Sequence, residues 1–205
     1  MRNAFITALT MLLFMGTIVS CKQDTEVRAA LDRVNSYIEQ YPDSALSTLQ
    51  SIAPSKLTTK EARAKHSLLL SMALDKNFID TTDFSILQPA IDWYTNHGTA
   101  TEKLRMYYYK GRIYSNRNNN EAAMEAFVNG LDKGSGSDDY LTRARMLYTK
   151  GRIHYDLHNF NDYIVCMKEA ADFFEKGGNQ NSMFNSYVNV YYGYSSTRDS
   201  VNSTT

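Results

Sequence analysis

The sequence has little of what builds disulfide frameworks, sheets or nucleic-acid surfaces. Only three of its 205 residues are proline and two are cysteine, Cys21 and Cys166, which is too few for a disulfide framework. The 22 basic residues equal the 22 acidic ones in number, whereas nucleic-acid binding needs a concentrated basic face. No stretch alternates apolar and polar residues as a half-buried strand does. We therefore expect neither a disulfide-rich domain, nor a sheet protein, nor a nucleic-acid partner.

Motifs for catalysis and metal binding are also missing. The chain has no Gly-x-Ser-x-Gly, His-Glu-x-x-His or Gly-x-Gly-x-x-Gly sequence. His154 and His158 stand one helical turn apart, a spacing that can hold zinc, but no third ligand can be named. Cys166 falls within a predicted helix, where a small buried side chain is the simpler interpretation. We predict that the protein is not an enzyme and has no cofactor and no metal site.

The first 21 residues have the pattern of an export signal. Arg2 precedes a largely apolar run over 4–19, and Ser20 and Cys21 follow. A short basic start, an apolar stretch and a small residue before the junction are typical of a secretory signal. The run is slightly short for a transmembrane span of about 20 residues. In this region the chain resembles bacterial lipoproteins, because Ser20 and Cys21 fit the last two positions of their lipobox.

This resemblance implies cleavage before Cys21, acylation of Cys21 and a lipid anchor in the bacterial cell envelope. Lys22 after the cysteine is associated in such proteins with the outer membrane, facing either the periplasm or the outside. An ordinary signal peptide or an uncleaved anchor is the alternative. Cleavage would remove Arg2 and no acid, which leaves 21 basic residues against 22 acidic ones. We predict a signal peptide at 1–20, a tether at 21–25, a helical repeat domain at 26–197 and a polar tail at 198–205.

Beyond the tether, apolar residues recur at helical spacing over nearly the whole chain. Thr58 and Glu61 have the spacing of a capping box and should open the third helix. The glycine- and serine-rich stretch 134–137 should form a flexible link. The pattern predicts an all-α protein of about nine helices, at approximately 26–40, 43–53, 58–76, 85–96, 101–117, 121–133, 139–157, 161–176 and 181–195.

A repeat of 40 residues organises the second half of the chain. Lys-Gly-Arg-Ile occurs at 110–113 and again at 150–153, and self-similarity at such a period indicates a helical repeat array. Small residues at Gly111 and Gly151 would let the two helices of each hairpin approach closely. The aligned positions are Tyr107, Leu147 and Tyr187; Gly111, Gly151 and Tyr191; Tyr114, His154 and Tyr194; Ala123 and Tyr163; Phe127 and Met167; Gly130 and Ala170.

These positions resemble the tetratricopeptide repeat, in which an aromatic residue, glycine and tyrosine on one helix precede alanine, phenylalanine and alanine on the next. The resemblance covers about 26–195 and implies a right-handed solenoid of helical hairpins. The spacing of 40 differs from the usual ~34, Lys110 and Lys150 replace the usual leucine before the glycine, and the final proline is absent. Proteins of this family hold a peptide or protein partner in a concave groove.

Arg105, Tyr108 and Arg112 form one stripe of the fifth helix. At about 100° per residue, this stripe lies more than 90° from the stripe that contains Gly111. The seventh helix repeats it, and in the family these positions face the ligand. Arginine captures carboxylates in bidentate fashion, and tyrosine adds rigid contact area, so we expect an exposed site for an acidic peptide or protein tail. The alternative is a solvated face whose arginines pair with local acids such as Asp156. The predicted ligand-binding residues are Arg105, Tyr108, Arg112, Arg145, Tyr148 and Arg152.

Three functions fit these patterns. The first is a lipid-anchored module that binds a peptide or protein and touches the membrane only through its anchor. The second is the extracytoplasmic sensory part of a signalling system, and the third is a glycan-binding envelope lipoprotein, which rests on tyrosine content and location. Because no tenth helix is predicted to cover the tyrosines of the ninth, either a partner covers them or the natural array continues past Thr205. The sequence does not identify the partner.

Overall fold

The computed structural model describes residues 25–202, with side chains as far as 198. Within that range the chain forms nine α-helices and one short 3-10 helix, Pro54–Lys56, and no strand. The predicted signal peptide and Cys21 lie outside the described residues. None of the helices in the described range is long and apolar enough to cross a membrane. The helices are α1 (25–37), α2 (Pro42–Ser51), α3 (Lys60–Lys76), α4 (Gln88–His97), α5 (Ala100–Asn116), α6 (Asn120–Lys133), α7 (Tyr140–Asp156), α8 (Phe160–Lys176) and α9 (Gln180–Asn202).

The prediction of an all-helical chain with nine helices is confirmed for this range, and the structure corrects some details. Thr59, not Thr58, caps α3, because its hydroxyl accepts a hydrogen bond from the Ala62 amide. Pro89 is the second residue of α4, where its missing N–H leaves no helical hydrogen bond unmade. Helix α9 continues to Asn202 instead of ending at Ser195, since no proline or glycine follows Gly193.

Contacts between Cα atoms divide the described chain into two compact units. The first comprises residues 25–80 and 85–93, and the second comprises 81–84 and 94–202, so the boundary falls within α4. The short segment 81–84 belongs to the second unit because it packs on the end of α5. Its Phe84 ring lies edge-on to Tyr114, with centroids 5.0 Å apart, and under the Arg117 guanidinium at 4.9 Å.

In the first unit, α2 packs on α3, and apolar side chains of α1, α2 and α3 are buried. Ion pairs tie the exposed edges of α1 and α3 together. Arg28 lies 2.7 Å from Glu61, and Lys65 pairs with Asp32. Such exposed pairs each contribute only about 0–1 kcal/mol, so burial of the apolar side chains holds this unit together. The fully buried ones include Leu31, Val34, Ile38, Ala45, Leu49 and Ala64.

In the second unit, each helix from α5 to α9 packs against the next, and α5 also contacts α7. Both glycines of the repeat lie where paired helices touch, as predicted. A Cβ atom at Gly111 would lie 2.2 Å from Cε1 of Phe127 on α6, and one at Gly151 would lie 2.8 Å from Cε of Met167 on α8. Real Cβ atoms do not make contacts this short, so a larger residue at either position would require the facing side chain to move.

The connection between α6 and α7 is packed at both ends, which differs from the predicted flexible link, while Ser135 and Gly136 between them are exposed. Gly134 is buried, and its carbonyl oxygen accepts a 2.5 Å hydrogen bond from Arg143. Ser137 is also buried, with its hydroxyl 2.8 Å from that of Thr101. Small residues serve close packing here, because a Cβ atom at Gly134 would lie 2.6 Å from Cβ of Leu104.

Candidate ligand-binding face of helices α7 and α9

The predicted stripe on α5 is largely closed, because α5 has helical neighbours in both α6 and α7. Tyr108 is only 4% exposed. Its ring packs against Tyr109 and Phe127, at centroid distances of 4.9 and 6.4 Å. The prediction of an exposed stripe is therefore wrong at Tyr108, which is a core residue of the second unit. Arg112 on the same stripe is half-buried.

Arg105, the first residue of that stripe, joins α5 to the start of α7. Its Nε atom pairs with the carboxylate of Asp139, and both side chains are mostly buried. Asp139 also caps α7, accepting hydrogen bonds from the amide and hydroxyl of Thr142 at 3.0 and 2.9 Å. A pocket of about 450 Å³ lies beside this pair and includes Asp138 and Lys176 in its lining. Because Arg105 pairs with the carboxylate that caps α7, its role in this structure is to hold α5 against the start of α7.

The stripe on α7 is more open. Arg152 is exposed, and Arg145 is half-buried. Tyr148 lies at the junction of two apolar clusters, one built around Leu147 on α7 and Phe174 on α8, the other around residues of α8 and α9. Among the residues that the structure describes, no carboxylate forms an ion pair with Arg152, not even that of Asp156 one turn further on. The expected local pairing with Asp156 is therefore not formed.

Asn189 on α9 links two tyrosine hydroxyl groups. Its Nδ2 atom lies 2.8 Å from the carbonyl oxygen of Asn185 and 3.1 Å from the hydroxyl of Tyr148. Its Oδ1 atom lies 2.7 Å from the hydroxyl of Tyr163. A carbonyl oxygen only accepts, so the contact with Asn185 fixes which end of the amide donates. Tyr163 consequently donates its proton to Asn189, and Tyr148 accepts one from it.

The proton of the Tyr148 hydroxyl is thus left for another acceptor. A phenol group that already accepts can still donate one hydrogen bond, and no described residue takes that bond. The positive charge of Arg152 also affects the cluster of Tyr148, Tyr163 and Asn189. Burial and, to a lesser extent, the neighbouring Tyr148 raise the pKa of Tyr163 to about 12, against the opposing effect of the Arg152 guanidinium. Tyr163 remains protonated at neutral pH, so its donation to Asn189 persists there.

Sequence reasoning found Tyr148 and Arg152 but did not assign Tyr163 or Asn189 to the site. Tyr163 was placed only at a packing position of the repeat. The available signal for Asn189 was an amide between two valines, Val188 and Val190. Only the tertiary structure places this amide between the two hydroxyl groups.

Two other reactive side chains lie in the seam between α7 and α8. The His154 Nδ1 atom is 3.8 Å from the carboxylate of Asp162, and burial lowers the pKa of His154. Burial raises the pKa of the Cys166 thiol, which keeps it protonated and unreactive at neutral pH. Across the described range, no group of three or more histidine, cysteine or acidic side chains is placed to hold a metal ion.

The described chain is thus an all-helical protein whose helices pack in sequential pairs, with a tyrosine, arginine and asparagine cluster on α7, α8 and α9. Comparison with protein-family models, with curated proteins and with solved structures finds no match.

Proposed function

We propose that the chain is a tetratricopeptide-like interaction module that binds an acidic peptide through Tyr148 and Arg152. Two observations support the repeat architecture. Helices pair in sequence along the second unit, and glycines 40 residues apart lie where the helices of two successive pairs touch. In this proposal the hairpins form a right-handed solenoid, and its α5, α7 and α9 helices line the binding groove.

The observation that carries the proposed ligand chemistry is the donor arrangement on α7. Tyr148 holds a hydroxyl proton with no acceptor among the described residues, and Arg152 there has no carboxylate partner. A carboxylate has four lone-pair positions and would accept from both groups. Asn189 fixes the phenol, so little side-chain freedom is lost when the ligand binds. Arg112 and Arg145 remain predicted contacts further along the same face.

A direct test measures binding of synthetic peptides by fluorescence anisotropy. The set consists of 15-residue peptides of one apolar pattern whose acidic residues are replaced stepwise by glutamine and then by lysine. We expect affinity to rise with acidic content. Arg152→Glu should weaken the acidic peptides about tenfold or more, and Tyr148→Phe, which removes only the hydroxyl, about three- to tenfold.

Arg33→Glu is the matched control, since it reverses an exposed charge on α1 in the first unit. It should leave the affinity unchanged. Binding that ignores peptide charge, or that falls equally in Arg152→Glu and Arg33→Glu, would contradict the proposed site.

We further propose that acylated Cys21 anchors the module in the bacterial cell envelope. The export pattern of 1–21 supports this location. Where the anchored module is the outer part of a signalling system, the same peptide contact would serve as its input.

A further inference from the structure

Helix α9 exposes a set of aromatic side chains, here named the α9 aromatic face. They are 46–69% exposed, well above the usual exposure of large apolar residues. The helix has no charged residue between Gln180 and Thr197. An uncharged aromatic patch of this size marks an interaction surface. Its members are Phe184, Tyr187, Tyr191 and Tyr194, which lie within about 80° of one another around the helix. Tyr192 is also exposed, but it lies on another side of α9, at the position equivalent to Arg152.

The repeat shows what kind of surface this is. Tyr187, Tyr191 and Tyr194 stand 40 residues after three positions of α7. On α7 that stripe is covered by α8, and on α5 the equivalent stripe is covered by α6. On α9 the same stripe is open, and within the described residues no further helix lies against it. The α9 aromatic face therefore continues a helix-packing surface that is buried twice elsewhere in the unit.

The residue at the centre of the face restricts what can cover it. The preceding repeats have Gly111 and Gly151 where α9 has Tyr191. A single Cβ atom at Gly111 would already lie 2.2 Å from the Phe127 ring. A covering helix placed as α6 and α8 are would collide with the protruding Tyr191 side chain. The occupant must instead accept tyrosine rings between its own side chains.

We propose that the α9 aromatic face binds a second copy of this chain, with α9 packed against α9 around a two-fold axis. The 180–197 segments of two identical α9 helices contain no charged residue, so they can meet without bringing like charges of α9 together, and their protruding rings can interdigitate. The cores of protein interfaces are likewise rich in aromatic residues and poor in charged ones. A two-fold contact brings each residue near the axis against its own copy. Tyr191 occupies that central place, with Tyr187 and Tyr194 one turn to either side.

The area of the α9 aromatic face indicates how stable the dimer should be. Aromatic side chains bury about 150–250 Å² each. Because roughly half of each ring is still exposed, the four together offer about 400 Å² per copy. A standard interface buries about 800 Å² per partner. Since the face is smaller than a standard interface, we infer a concentration-dependent dimer and not a permanent one. At the edge of the face the Tyr194 hydroxyl accepts a 2.9 Å hydrogen bond from Lys168, which holds that ring in place.

The test is sedimentation velocity on the full chain, purified in mild detergent, at concentrations from about 1 to 200 µM. The unmodified chain should change from monomer to dimer over this range. Tyr191→Glu and Tyr191→Lys should each weaken the dimer about tenfold or more, and an equimolar mixture of the two should restore it, because opposite charges then meet at the axis. Val165→Glu, at an exposed apolar residue of α8, is the control and should leave the dimer intact.

Restoration in the mixture shows that both variants fold, so a loss in either one alone cannot be ascribed to unfolding. A monomer at every concentration overturns the proposal and would point to another occupant, such as a different protein or a further segment of the array. A dimer insensitive to both substitutions, or a mixture that stays monomeric, overturns it equally. Arg152→Glu leaves this face untouched, so the result is independent of the proposed peptide site.

Discussion

At the scale of single residues, Gly111 and Gly151 differ in the side chains that pack against them. The aromatic ring of Phe127 faces Gly111, with three ring atoms within 2.8 Å of the position a Cβ would take. Gly151 is faced by the terminal methyl of Met167 at 2.8 Å and by Cβ of Cys166 at 3.0 Å. A methionine methyl can swing aside, whereas a ring wedged in a core moves only with its helix.

We therefore expect Gly111→Ala to destabilise the protein more than Gly151→Ala. Overpacking costs about 1–3 kcal/mol, and alanine regains about 1 kcal/mol of helix propensity over glycine. Gly111→Ala should lower the free energy of unfolding by about 1–2 kcal/mol, and Gly151→Ala by less than about 1 kcal/mol. Urea denaturation followed by circular dichroism measures both.

Gly136→Ala serves as the reference for these glycine substitutions, since its Cβ would meet only Ala100, at 3.9 Å. It should be nearly neutral. Equal losses at Gly111 and Gly151 would show that ring and methionine yield alike, against the packing argument.

At the scale of elements, the helices begin in different ways. Helix α5 starts with a capping box, in which the Thr99 hydroxyl accepts from the Glu102 amide and the Glu102 carboxylate accepts from the Thr99 amide at 2.9 Å. Helix α8 starts at Asn159, whose side chain makes no capping hydrogen bond. Two adjacent hairpins thus offer a capped and an uncapped helix within one unit.

The prediction at this scale compares the two starts. Thr99→Ala should lower the free energy of unfolding by about 1 kcal/mol, because it leaves the Glu102 amide without its partner. That loss corresponds to a fall in Tm of about 2–4 °C for a chain of this size. Asn159→Ala should change Tm by less than about 1 °C, since no capping bond is lost. Similar falls in both variants, measured by thermal unfolding, would refute the assignment of the capping box.

At the scale of the whole molecule, the proposed location depends on Cys21, which lies outside the described range. If Cys21 carries acyl chains, several chains together hold a protein stably at a membrane, whereas one chain holds it only marginally. Cys166, the other thiol, is buried in α8 and so offers a matched substitution that leaves the anchor intact.

We predict that Cys21→Ser abolishes metabolic labelling with palmitate and moves the protein from the membrane to the soluble fraction of a bacterial host. Cys166→Ser should keep both the label and the membrane location. A Cys21→Ser protein that stays in the membrane would favour an uncleaved anchor. A wild-type protein without label that is released in soluble form would favour an ordinary signal peptide.

A structural feature could be predicted from the sequence when its physical cause lies within one helix or one helix pair. Helix existence, the turns and the contacts of Gly111 and Gly151 follow from periodicity and residue size, and the structure confirms them. Tyr108 was misplaced because exposure at one helix face depends on whether a third helix lies beside it. The choice between Thr58 and Thr59 as cap was also missed, since one residue shifts the helix start without changing the apolar pattern.

The sequence by itself determined that this chain is helical and where the paired helices touch at Gly111 and Gly151, because side-chain spacing and the lack of a Cβ act within one or two helices. Only the tertiary structure decided which polar groups remain available. Arg105 was committed to Asp139, Tyr108 to the core, and Tyr148 to Asn189. The partners of Arg105 and Tyr148 lie 34 and 41 positions away in the sequence, and Tyr108 is covered by Phe127 on the next helix. Packing across helices therefore sets all three outcomes.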